Sequence, residues 1–188
     1  MSGYRIEADQ GDIRKVLANL DKIEKAPSKL KNAINRTATQ ANKMLRAGRT
    51  QGYTIKAGRF NSEIKVQRAN LSHLDATIIA AGRPPLIREF KTSVPKAGAK
   101  ADITKSGLKS LRKNGAGSAF LLGGGSASGL IAQRRTSERT PLKVLHGNSV
   151  PKMVEKIYEG ERGGQSNMEN RIKSRLHDEM QKEIAKLM

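Results

Sequence analysis

Residues 53–82, YTIKAGRFNSEIKVQRANLSHLDATIIAAG, mark the point at which the chain changes its period. The segments 53–60 (YTIKAGRF), 63–69 (EIKVQRA) and 74–82 (LDATIIAAG) are short, rich in β-branched residues and partly alternating, and Gly, Asn and Ser separate them. That pattern predicts strands. Arg83-Pro84-Pro85 breaks the ladder, because proline has no backbone N–H to give it, and Leu86, Ile87 and Phe90 follow as an apolar cluster set to dock on the sheet. Residues 101–111 and 118–122 predict two more strands, joined by RKNGAGS, whose Asn-Gly tolerates the positive φ of a tight turn.

Ahead of this region the spacing is helical. Ile13, Val16, Leu17, Leu20 and Ile23 form one face that ends at Pro27. Ser28 is placed to cap a second helix, whose stripe is Leu30, Ala33, Ile34, Thr37, Ala38, Ala41, Met44 and Leu45. Its other face carries Lys29, Lys31, Arg36, Lys43 and Arg46, a pattern that a solvated face explains. Beyond the strands, GGGSASGLIAQRRTSERT (123–140) has little apolar content, four glycines and three arginines, and reads as a mobile loop. Leu142, Val144 and Leu145 then predict a short buried strand or turn. Ser149 caps a helix with Pro151 near its first turn and Met153, Val154 and Ile157 on one face. After Gly163-Gly164, a last helix repeats Ile172, Leu176, Met180, Ile184 and Leu187, a narrow stripe able to pack on the domain or on a partner helix. The expected class is α+β: a helical pair (about 12–50) on a small, mostly antiparallel sheet (about 53–147) with a long mobile hairpin or loop, and C-terminal helices (about 149–188), in a single domain of 188 residues.

Composition narrows the function. Thirty-six Lys and Arg against 17 acidic residues give a net charge of +19, which suits a position beside a polyanion or an acidic protein surface. The excess is concentrated: residues 61–140 hold 14 basic residues and five acidic ones, Glu63, Asp75, Glu89, Asp102 and Glu138. There is no cysteine, so disulfide and thiolate chemistry are excluded. The first residues, MSGYRIEADQGDIRKVL, lack the apolar core of a secretory signal, and no stretch approaches the ~18 apolar residues of a membrane span.

No catalytic constellation stands out. His73, His146 and His177 lie far apart without metal-ligand spacing, and His146 beside Gly147 reads as a polar turn residue. Gly123-Gly124-Gly125 lacks the Lys-Ser or Lys-Thr that follows a phosphate-binding loop, and no Gly-x-Ser-x-Gly elbow occurs. Asp75 and Glu89 are expected in surface ion pairs rather than in a hydrolase pair. The chain is therefore read as a non-enzyme without cofactor or metal. Two basic clusters, Lys109, Arg112 and Lys113, and Arg134, Arg135 and Arg139, are the candidate contacts to DNA or to a protein partner. With three Phe and three Tyr in all, and only Tyr53 and Phe60 bracketing a basic stretch, base stacking has no platform, so any nucleic-acid binding is expected to ignore sequence.

Residues 134–160, RRTSERTPLKVLHGNSVPKMVEKIYEG, resemble the C-terminal signature of the phage minor tail protein Z family. In that family an Arg-rich segment runs into a short strand, then a Gly-x-Ser-Val-Pro turn, then a helix. The matching residues here are Arg134, Arg135, Pro141, Leu142, Lys143, Leu145, Gly147, Ser149, Val150, Pro151 and Met153. Similarity extends weakly over most of the chain. His146 and Asn148 stand where the family pattern has an aromatic and a proline, and the triple-glycine tract is looser than the usual hairpin tip. The resemblance implies an α+β protein of the virion tail or neck, made in the host cytoplasm and added late in tail assembly at the head–tail joint. It implies a role in placing the DNA end, other tail or neck proteins as partners and a homo-oligomeric ring. It also makes Pro141, Leu142, Gly147, Ser149, Val150 and Pro151 a structural motif. The alternative is a basic accessory protein that binds nucleic acid without sequence preference.

Overall fold

The structure is a computed structural model that describes residues 4–7, 26–112 and 117–186. The predicted first helix (Ile13 to Ile23), most of the RKNGAGS turn including Lys113, and Leu187 lie outside the described residues. The chain is α+β, with helices against small antiparallel sheets.

The long helix α1 (Ala26–Gly52) begins before Ser28, so that serine lies within the first turn instead of capping it. Pro27 is tolerated there because a first-turn residue has no intrahelical acceptor for its N–H. The expected stripe is the buried face: Leu30, Ala33, Ile34, Thr37, Ala38, Ala41 and Leu45 all point inward. Strands β1 (Tyr4–Glu7), β2 (Ile64–Gln67) and β3 (Thr77–Ala80) make the first sheet, with β3 central and both pairings antiparallel. Ile78 and Ala80 of β3 face the core.

Residues 53–60 are not a strand. Tyr53, Ile55 and Phe60 are all buried, and an extended chain would send Ile55 and Phe60 to opposite faces of a sheet. The chain instead folds into a short helix α2 (Ala57–Ser62), which returns Phe60 to the same core.

The remaining antiparallel strands fall into two further sheets of three strands each, so the strand region is divided among three sheets. One contains β4 (Lys91–Ser93), β5 (Lys100–Asp102) and β6 (Lys109–Ser110), in that order. The other contains β7 (Phe120–Leu121), β8 (Ile131–Arg134) and β9 (Leu142–Val144). Backbone hydrogen bonds among Ala99, Leu111 and Ala119 and the Arg112↔Ser118 bridge join the two. Leu86 bridges to His146 and Ile87 N–H bonds to the Leu145 carbonyl, which ties β9 back towards β4. The cluster Ile87 and Phe90 docks in the core as its composition predicts.

The reading of 123–140 as one mobile loop is corrected by β8. Ile131, Ala132 and Gln133 are buried and form the middle strand of the third sheet, so an apolar pair within a polar tract was enough to fix it. Strand β9 forms where a short strand was expected, but at an edge: Leu142 is 36% exposed, and Val144 and Leu145 are half-buried.

Helix α3 (Val150–Tyr158) has Ser149 at its N-cap in extended conformation, although the serine side chain makes no capping bond. Val150, Met153, Val154 and Ile157 fill the main core. Gly48 of α1 allows this helix to approach, since a Cβ there would collide with Ile157. Helix α4 (Met168–Ile184) lies along α1 and buries Met180 against Leu30, Ala33 and Ile34, so the narrow stripe packs on its own domain.

Candidate interaction surface

The helices and the strands treat their charges differently. Along α4, Glu179 and Glu183 are buried at 3% and 2% exposure, an unusual fate for a carboxylate. Both are paired. Arg36 of α1 reaches Glu183 at 2.7 Å and Glu179 at 3.5 Å; Arg175 adds a contact to Glu179 at 2.8 Å and Lys186 one to Glu183 at 2.6 Å. Lys29 and Lys182 complete the cluster. The hydrogen bond from Lys186, with Arg36 and Lys29 nearby, outweighs burial and holds the Glu183 carboxyl below the usual carboxylate range. Thus two members of the predicted basic face of α1, Lys29 and Arg36, hold the last helix in place.

Glu89 pairs with Lys56 at 3.8 Å and Arg88 at 4.0 Å, as expected of a surface carboxylate. No ion pair is recorded for Asp75, against the expectation. Glu63 pairs with Arg59, yet burial dominates and raises its pKa.

In the two strand sheets the pattern reverses. Lys109 and Arg112 are exposed at the end of β6, and Arg134, Arg135 and Arg139 are exposed on the hairpin between β8 and β9. Residues 134–143 form ten consecutive exposed positions. None of these five cations makes an ion pair among the described residues. The two clusters are far apart in sequence but close in the fold, because Arg112↔Ser118 joins the end of β6 to the strand that enters β7, and β7 pairs with β8. Arg134 bends back over the Phe120 ring, 6.0 Å from its centroid, and this contact orients its guanidinium. Tyr53 and Phe60, the aromatic pair that brackets a basic stretch in sequence, are both core residues, so neither can stack on a base.

The structural motif anchors this surface. Pro141, whose peptide bond is cis, accepts from Arg135 N–H and closes the hairpin. Gly147 donates its N–H to the Pro85 carbonyl, and a Cβ there would collide with the Phe90 ring, which is only 4% exposed. Val150 is fully buried and Pro151 is buried beside it. The motif therefore runs from an exposed arginine hairpin directly into the centre of the core.

Comparisons with known protein families, curated proteins and solved structures found no match to this chain.

Two polar grooves also border α1. One, of about 560 Å³, is lined by Lys31, Asn35, Arg36, Arg68, Arg175 and Glu179 among others. The other is lined by Lys31, Asn35 and residues 68–73. Asn35 grips the backbone of Ala69 with both ends of its amide, at 3.0 and 2.9 Å, so the grooves share a rigid wall. Neither contains a nucleophile and base within reach of each other, and among the described residues no group of three or more His, Asp or Glu is arranged to hold a metal ion. Sequence reasoning missed the buried glutamates; their i, i+4 spacing along α4 from Arg175, through Glu179 to Glu183, was the available signal.

Proposed function

We propose that this chain is a structural protein of a tailed-phage particle: a minor tail or tail-completion protein at the head–tail joint, acting late in tail assembly and in placement of the DNA end. The observation that carries the reading is the continuity of residues 134–151. The stretch that resembles the tail-protein signature joins an exposed basic hairpin to the buried Gly147 and Val150, which suits a surface element that must keep its position against a neighbour. In this reading the protein works as a homo-oligomeric ring among other tail or neck proteins, is made in the host cytoplasm and resides in the virion. It has no catalytic role.

Quantitative mass spectrometry of particles washed in high salt tests this reading. Retention at a small, fixed, ring-like copy number is the expected result. Loss from washed particles, with the chain recovered on DNA in the lysate, would favour a basic nucleic-acid-binding accessory protein instead. The unpaired Arg134, Arg135 and Arg139 are the observation that keeps this second reading in view.

A further inference from the structure

Register decides which of the unpaired cations act together. Ser93, Lys100 and Ser110 lie opposite one another across β4, β5 and β6, and residues directly opposite in antiparallel strands share a face. Arg112 follows Ser110 by two residues and so returns to that face, where it bridges to Ser118. Ser118 precedes Phe120 by two residues, and Arg134 follows its partner Ala132 by two. Lys100, Arg112 and Arg134 thus share one outward face, interleaved with the hydroxyls of Ser93, Ser110 and Ser118. All six are exposed except Ser118, which is half-buried. The inward face of the same strands holds Ala99, Ala101, Leu111, Ala119 and Ile131.

Nothing acidic offsets this row. Asp102 has the same parity as Lys100, but it is 7% exposed and its carboxylate accepts the Ser106 N–H within its own turn. Glu138 lies at the far hairpin, beside Arg139.

From this juxtaposition we propose that the outward face bearing Lys100, Arg112 and Arg134 with Ser93, Ser110 and Ser118 binds the phosphate backbone of duplex DNA without reading its sequence. Cations alternating with small hydroxyl donors match a polyanion whose charges repeat along a line and whose oxygens accept hydrogen bonds. Base readout is excluded by what the face lacks. No helix or ribbon projects from it to enter a groove, and its one ring, Phe120, lies beneath Arg134. An acidic protein is the less suitable occupant, because a stable protein interface needs an apolar centre and this row has only the half-covered Phe120.

The inference deepens the proposed function by naming a partner for its basic surface, and its test is independent of particle assembly. Binding of the full chain to a 30-base-pair duplex is measured by fluorescence anisotropy across a salt series. The triple variant Lys100→Gln, Arg112→Gln, Arg134→Gln is compared with Lys43→Gln, Arg46→Gln, Lys65→Gln, which removes the same charge from exposed positions elsewhere. The face variant is expected to lose at least tenfold in affinity at about 0.1 M salt. Its slope of log affinity against log salt should fall by about 2 to 3, at about 0.9 per phosphate contact removed. The control variant should change neither quantity by more than a fraction of this. Equal losses in the two variants would reduce the effect to net charge and overturn the proposal. So would tighter binding of the native chain to polyglutamate than to the duplex. Virions that retain the protein at fixed copy number while the duplex assay fails would overturn it and leave the assembly reading intact.

Discussion

Residues 91–143, which build the second and third sheets, carry eleven Lys and Arg against two acidic residues, whereas residues 144–188 carry eight against seven. In the helical part the cations are used internally: Arg36, Arg175, Lys182 and Lys186 hold two buried glutamates between α1 and α4. In the strand part they are left outside, over a core of small side chains such as Ala99, Ala101, Ala119 and Ala132. The same residue types therefore serve cohesion in one region and presentation in the other. The difference teaches that net charge alone does not locate a binding surface, and that the pairing state of each cation does.

The largest effect is expected where the presenting region is anchored. Val150→Asp places a carboxylate at a position with no solvent exposure and no cation described beside it. The cost of an unpaired buried charge exceeds about 4 kcal/mol, a large share of the stability of a domain this size. Insoluble or unfolded protein is the expected outcome in a solubility and circular-dichroism assay. A soluble, assembly-competent variant would show that the hairpin does not depend on this anchor.

Gly147→Ala is the next step down. Its methyl group would enter the Phe90 ring, which is itself buried, so the ring or the backbone must shift. Overpacking of this kind costs about 1–3 kcal/mol and should lower the denaturation midpoint accordingly. Gly123→Ala, with nothing within 4 Å of its new methyl group, should leave the midpoint almost unchanged.

On the cohesive side, Arg36→Ala removes the one side chain that reaches both buried glutamates. Breaking a fully buried pair costs about 3–5 kcal/mol, but Arg36 is 53% exposed and Lys186, Arg175 and Lys182 remain, so a loss of about 2 kcal/mol is expected. The same cluster sets an acid dependence. The folded pKa of Glu183 lies below its ordinary value of about 4.3, so its contribution is fully present above that pH and is lost as pH falls through the lower folded value. Glu183→Gln should be less stable at neutral pH and lose less of its remaining stability on acidification. A parallel pH curve for the two proteins would mean that the cluster contributes nothing.

How much of this was legible depended on whether one period governed the segment. The stripe of α1 and the faces of α3 and α4 repeat at helical spacing over several turns, and the apolar β2 and β3 segments sit between clear breakers. The stretch around Ile55 and Phe60 failed because two buried side chains of opposite parity need a local turn, which alternation cannot express. Strand β8 was hidden for a different reason. Its burial is supplied by β7 and β9 on either side, so glycines and arginines in the flanking turns dominated the local composition. Of the candidate contacts, Arg112 and Arg134 were visible as members of two clusters, but Lys100, Ser93, Ser110 and Ser118 became candidates only once pairing set their register.

The smallest effect on stability is expected where the effect on function should be greatest. Charge reversal at Arg134, Arg135 and Arg139 to Glu alters three exposed side chains that make no ion pair. Only the contact of Arg134 with Phe120 is lost, at about 0.5–1 kcal/mol. Relief of repulsion among the remaining cations of the strand region offsets part of that, so the melting temperature should stay within a few degrees of the native value. Particle assembly and infectivity should nonetheless fall sharply, because the hairpin would then repel the anionic surface it is proposed to meet. If the folded variant assembled infectious particles at the native level, the arginines would be solubilising charges only. The contrast between the cohesive and presenting regions would then describe how the chain folds without describing what it binds.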